Sequence, residues 1–196
     1  MTVAPEASRL PGASVMVILP LLAALSAILG QPVPDWPAKT EAQWVQGGPL
    51  DLQSLRGKVV LIRFFTATDC PYCSATAPAL NQFHREFGPQ GLVVIGMYTP
   101  KPRPKPTPVA EVRKVVKEYG FAFPVAVDDD WGALRTLWLD RVPEATFTSA
   151  SLLVGRDGRL RHVHEGGTFA KEGGDEQARK DYWKMREAIV AALAEP

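Results

Sequence analysis

The stretch "FFTATDCPYCSATAP" holds the only two cysteines of the 196-residue chain, Cys70 and Cys73, separated by Pro71 and Tyr72. Two thiols at this spacing can bind a metal with other ligands, staple a loop, or trade a disulfide with another protein. A staple explains them poorly, because a loop this short removes little entropy from the unfolded chain. A metal needs further ligands. His162 and His164, two apart on a predicted strand, share one face, but alternate strand residues are more often a solvated face than a ligand pair. His84 reads as a surface residue of a helix. The dithiol is therefore read first as a redox centre.

The elements around the pair support that reading. "KVVLIRFF" (58–65) is a continuous β-branched and aromatic run, the pattern of a strand buried on both faces. "SATAPALNQFHREFG" follows with Ala75, Ala79, Leu80, Phe83 and Phe87 at helical spacing and Gly88 as a stop. Cys70 thus stands where a buried strand ends and a helix begins. Unpaired backbone N–H groups and the positive dipole end favour thiolate there. Cys73 lies one turn further in, placed to attack a mixed disulfide on Cys70, and Pro71 suits the first helical turn.

Further along, "GLVVIGMY" (91–98) predicts a second buried strand. "TPKPRPKPTP" has proline at every second position from 100 to 108 and must be an extended loop. It leaves the sheet edge at which ligands bind in open α/β sheets, so Lys101, Arg103 and Lys105 are candidates to meet the redox site or an acidic partner. "VAEVRKVVKEYG" predicts an amphipathic helix, "FPVAVD" a short strand and "WGALRTLWL" a helical turn or two. "SASLLVGRDGRLRHVHEGG" predicts a hairpin of strands 150–154 and 159–165 about Asp157-Gly158. "DEQARKDYWKMREAIVAALAE" closes the chain as a helix. Parallel strands joined by helices and then an antiparallel pair predict an α/β domain with a mixed sheet covered on both faces. Trp44, Trp131 and Trp138 fit core caps better than a substrate groove.

The composition is 46% hydrophobic, enough for one domain with a proper core. A net charge of +1 argues against a general nucleic-acid binder. From Ala13 to Gly30 no residue is charged, and Arg9 stands upstream, the layout of a signal peptide or membrane anchor. The sequence therefore divides into a signal or anchor (1–30), a Pro-rich linker (31–43) and a domain (44–196). It places the domain outside the cytoplasmic membrane or in the periplasm, tethered by residues 13–30 if they are not cleaved.

The segment "GGPLDLQSLRGKVVLIRFFTATDCPYCSATAPAL" resembles the thioredoxin-like family of exported, membrane-tethered thiol-disulfide oxidoreductases, TlpA/ResA-like. The likeness rests on Trp44, Gly48-Pro49-Leu50, Gly57-Lys58-Val59-Val60-Leu61, the Cys-x-x-Cys and Pro78, and extends over about residues 36–194. It implies the thioredoxin-like fold, Cys70 as nucleophile and Cys73 as resolving thiol. It also implies no cofactor beyond the Cys70–Cys73 disulfide, with disulfide-bearing protein partners and a membrane or exported electron donor. The net direction it implies is reduction of partners. Three residues depart from the family pattern. Arg63 stands near where many relatives carry a buried carboxylate, and Asp69 replaces an aromatic residue and would oppose a thiolate. In Thr148-Ser149-Ala150, Ser149 stands where a proline in a cis bond is usual; here trans bonds are expected. Two alternatives stay open. A peroxiredoxin-like peroxidase would have a Thr three residues before its cysteine, where this chain has Ala67. A copper carrier would use the same cysteines with a histidine.

Overall fold

The computed structural model describes residues 23–67 and 69–196. The strand β2 (Val59–Phe65) is buried along all seven residues, as its unbroken apolar run predicts, because helices cover both of its faces. It pairs in parallel with β3 (Leu92–Tyr98), and β3 pairs in parallel with β4 (Val125–Val127). On its other side β2 runs antiparallel to β5 (Ser151–Val154), which forms the expected hairpin with β6 (Leu160–His164). Gly158 takes φ 74° in that turn, a conformation open to glycine at no steric cost. The edge strand β1 (Trp44–Gln46) lies antiparallel to β4 and completes the order β1-β4-β3-β2-β5-β6. Turn signals are all that the sequence shows near Trp44, since three residues carry no readable periodicity.

Helices flank the sheet on both faces. They are α1 (Pro71–Phe87), α2 (Val109–Tyr119), α3 (Gly132–Leu134 continued by the π-helical turn Arg135–Leu139) and α4 (Glu176–Ala194). Alternation along β2 divides the core between two faces. Val59, Leu61 and Phe65 meet Leu80 and Phe83 of α1, Val116 of α2 and Tyr182 of α4. Val60, Ile62 and Phe64 meet Leu134, Trp138 and Trp36 on the other face. Arg63 belongs by the same alternation to the α1 side, beneath the cysteines.

Residues 31–43, read from sequence as an extended Pro-rich linker, are laid against the domain. Val33 and Trp36 are buried. The Gly30 N–H donates to the Leu160 carbonyl at 2.8 Å, and the Leu160 N–H donates to the Gln31 carbonyl at 3.0 Å. Lys39 Nζ sits 2.7 Å from the Asp128 carboxylate, with both side chains almost wholly inside. The same carboxylate accepts the N–H groups of Ala133 and Leu134 at the start of α3. The prolines do keep the segment extended, but extended chain can still bury alternate side chains, and proline content is silent on that. Residues 23–28 form a helical turn whose Ile28 is buried. The domain therefore begins before Trp44. Residues 13–22 of the expected signal or anchor lie outside the described residues. Among the described residues no helix is long and apolar enough to cross a membrane.

Candidate active site

Cys70 is the residue that caps α1. Its backbone is extended (φ −83°, ψ 105°), and its sulfur accepts the Cys73 N–H at 3.3 Å. Its carbonyl accepts the N–H groups of Cys73 and Ser74 at 3.1 and 3.0 Å, and Pro71 takes the first helical position without losing a bond. Both cysteines are free thiols; Cys70 is half-buried, while Cys73 is 2% exposed. Tyr72 between them is exposed. Cys70 is thus the accessible thiol of the pair and Cys73 the shielded one.

Burial pushes the Cys73 thiol up to about 11. The Arg63 guanidinium works against that shift, the hydrogen bond with Cys70 adds to it, and the Thr66 N–H works against it. Arg63 is 1% exposed. Its Nη1 donates to Ser151 Oγ and its Nη2 to the Gly167 carbonyl, each at 3.1 Å, while the guanidinium lies 5.6 Å from the Phe169 ring centroid. Its Nε has no hydrogen-bond partner. Burial lowers its pKa, and the two cysteines, Cys73 before Cys70, oppose the lowering.

Of the three cations of the proline loop, Lys101 is half-buried and feels the field of the cysteines. Burial lowers its pKa and the cysteines resist the shift. Arg103 and Lys105 are exposed, and the Lys105 backbone N–H is held by the Asp129 carbonyl at 3.0 Å. The loop is fixed from below by Trp131, whose Nε1 donates to the Pro100 carbonyl at 2.8 Å. Asp69 is exposed, and its charge appears as a small upward influence on the Tyr98 phenol, whose pKa burial chiefly raises. Ser149 is 2% exposed, which removes it from the surface a partner would touch. Among the described residues the cis peptide bonds are Gly48-Pro49 and Lys101-Pro102, so the bonds through Ser149 are trans as expected.

Other residues of the site are not evident in the sequence. Tyr119 Oη donates to the Ala67 carbonyl at 3.0 Å, and burial pushes its phenol up to about 12. His164 is buried rather than solvated, because α4 covers the end of β6. Its ring meets the Phe169 ring edge-on at 5.1 Å and its Nε2 lies 3.7 Å from the Asp181 carboxylate. Burial first, then Arg63, holds its pKa down to about 4. Beside Pro71 and Tyr72 a groove of about 450 Å3 opens between α1 and the turn Gly166-Gly167-Thr168, with Gln177 of α4 on its far wall. Among the described residues no three His, Cys, Asp or Glu side chains converge as a metal site would require.

A mixed sheet with a capped Cys-x-x-Cys at the end of its central parallel strand defines a thioredoxin-like protein. The chain belongs to the AhpC/TSA family, whose model matches residues 29–163. It is 34% identical over 118 residues to protein DipZ of Mycobacterium bovis, which is 60% of this chain and 16% of that protein. It is 27% identical over 116 residues to the thiol-disulfide oxidoreductase ResA of Bacillus anthracis, 59% of this chain and 60% of the relative. The chain thus spans less than two thirds of these curated relatives. Among solved structures, a thiol-disulfide isomerase from Corynebacterium glutamicum matches with TM-score 0.61 at 25% identity, covering 84% of this chain and 98% of that one. A secreted disulfide oxidoreductase of Mycobacterium tuberculosis shares the fold with TM-score 0.54 at 22% identity, covering 76% and 93%.

Proposed function

We propose that this chain is a thiol-disulfide oxidoreductase that exchanges disulfides with protein partners through Cys70 and Cys73. The observation that carries the reading is the pairing of a half-buried helix-cap sulfur with a shielded thiol one turn behind it. Cys70 attacks one sulfur of a partner disulfide; a bond to Cys70 forms, the partner's S–S bond breaks, and one partner thiolate leaves. Cys73 then attacks the Cys70 sulfur and the second partner thiolate leaves. The partner gains two electrons and two protons, and the cysteine pair loses them.

The groove beside Tyr72 suits an extended segment of the partner. Reduction is the proposed net direction, as the TlpA/ResA-like resemblance of the sequence implies, with electrons supplied by a membrane or exported donor. No dissociable cofactor is required. The proposed setting is the periplasm or the outer face of the cytoplasmic membrane.

The reading is tested with the Cys73→Ala variant and a disulfide-bearing peptide. A stable mixed disulfide on Cys70 is expected, and its release on adding dithiothreitol. A variant that forms none would refute the exchange mechanism. Peroxide reduction is a second reading, favoured by membership in the AhpC/TSA family. It lacks the hydroxyl expected at Ala67, and oxidation of the reduced protein by one equivalent of hydrogen peroxide tests it.

A further inference from the structure

Strand β2 carries one charged residue, and that residue is buried. Arg63 donates to Ser151 Oγ and the Gly167 carbonyl, its Nε has no hydrogen-bond partner, and a side-chain hydrogen bond joins it to Cys73. Among the described residues no carboxylate forms an ion pair with it. Burying a cation without an opposite charge is costly, and an anion formed beside it would offset that cost. Its guanidinium lies over the Phe169 ring, on the face of β2 where Leu61, Phe65, Phe169 and Cys73 pack in one cluster, and the titratable groups that interact with it come from several elements. They are Cys70 and Cys73 on α1, Tyr119 at the end of α2, Lys101 in the proline loop and His164 on β6. Lys101 is a cation, Tyr119 is a neutral phenol, and His164 is neutral or cationic with Asp181 behind it. The cysteines are what remains to supply a negative charge.

We propose that Arg63 is a positioning residue of the dithiol, the counter-ion of the thiolate that the cysteine pair forms, serving whichever sulfur is ionised. The proposal rests on the exchange reading above. In the free dithiol the neighbouring Cys70 opposes ionisation of Cys73. In the mixed disulfide the Cys70 sulfur is bonded and neutral, so that opposition is gone and Arg63 faces Cys73 alone. The Cys73 thiol gives its proton to solvent and its thiolate attacks Cys70. The Cys70–Cys73 bond forms as the Cys70–partner bond breaks, and the departing partner thiolate is protonated. Once the disulfide has closed, the guanidinium again has no anion. Arg63 therefore favours the reduced state, and makes the pair a weaker reductant and a faster resolver than it would be otherwise.

A residue that merely braced Ser151 and Gly167 would have no such effect on redox behaviour. Two measurements separate the roles on the purified protein. One is the equilibrium of the pair with glutathione. The other is the pH profile of the second thiolate release from 5,5′-dithiobis(2-nitrobenzoate), which reports Cys73 attacking a mixed disulfide on Cys70. Arg63→Met is expected to slow that release tenfold or more at pH 7, with the deficit closing at high pH. It is also expected to shift the glutathione equilibrium at least tenfold toward the disulfide, a potential about 30 mV more negative for a two-electron couple. Arg63→Lys should keep both within about threefold of wild type. Should Arg63→Met not fold, Arg63→Gln keeps two donors without the charge and must behave as the Met variant would. Wild-type profiles in the uncharged variant, or a Lys variant as impaired as the uncharged one, would overturn the proposal while leaving exchange intact. A wild-type pair that never equilibrates with glutathione would overturn exchange, and this proposal with it.

Discussion

Cys70 and Cys73 are legible in the sequence because everything that defines them is local: a buried run, a proline, a helical period and a spacing of three. Arg63 is visible there too, as a charge inside an apolar run, but its partners are not. Ser151 and Gly167 reach it from 88 and 104 residues away, and no short-range pattern reports such pairs. Asp69 is a case where exposure sets the size of the effect. Adjacency in sequence suggests a strong repulsion on the Cys70 sulfur, whereas the carboxylate is exposed to solvent. Exposed charges a few ångströms apart interact by about 1 kcal/mol in water, and salt screens them beyond ~10 Å at 0.1 M. Asp69→Asn is therefore expected to raise the rate of Cys70 alkylation by iodoacetamide less than about threefold at low salt. The difference should vanish by about 0.5 M salt. A larger, salt-insensitive change would mean that Asp69 turns inward toward the sulfur.

Elements bring together what single residues cannot announce. The hairpin and the terminal helix α4 are both readable, yet their packing decides that His164 is enclosed. The alternation His162, His164 taken alone suggests a wet face. Enclosure has a pH consequence whose sign follows from the direction of the shift. The folded pKa of His164 is about 4, below the ordinary value of 6.5, so the unfolded chain binds the proton more readily. Stability contributed by the neutral ring is complete above pH 6.5, falls as pH drops through that value, and stops falling below about pH 4. The loss over this window is up to about 3 kcal/mol. Urea denaturation of wild type should show that slope, and His164→Gln should flatten it. An equal slope in both would assign the acid sensitivity elsewhere. The proline loop also belongs to this scale. Its extended form is written in its composition, but not that Trp131 grips the Pro100 carbonyl or that Lys101 is half-buried while Arg103 and Lys105 are exposed.

For the whole molecule, the domain boundary is where composition misleads. Prolines at 32, 34 and 37 and the apolar stretch before them suggest a tether that the domain does not need. The packing says otherwise: Ile28, Val33 and Trp36 close the face of the sheet beneath α3, and Lys39 is locked to Asp128. Gly48 shows the same economy of space, since a Cβ there would lie 2.0 Å from the Trp44 ring, which accounts for a glycine in the lead-in to β2. A chain starting at Asp35 keeps Trp36 and Lys39 but loses Ile28, Val33 and the two backbone bonds to Leu160. Burying an Ile or Val side chain contributes about 1.5–3 kcal/mol, and the lost chain entropy of the segment opposes that gain. Residues 35–196 are therefore expected to fold cooperatively yet to be less stable than residues 23–196 by about 1–3 kcal/mol. For a domain of this size that corresponds to a melting midpoint lower by roughly 2–12 °C. Parallel thermal melts of the two chains, both reduced, measure the difference. Coincident midpoints would mean that residues 23–34 rest on the sheet without holding it, and the boundary would move to Asp35.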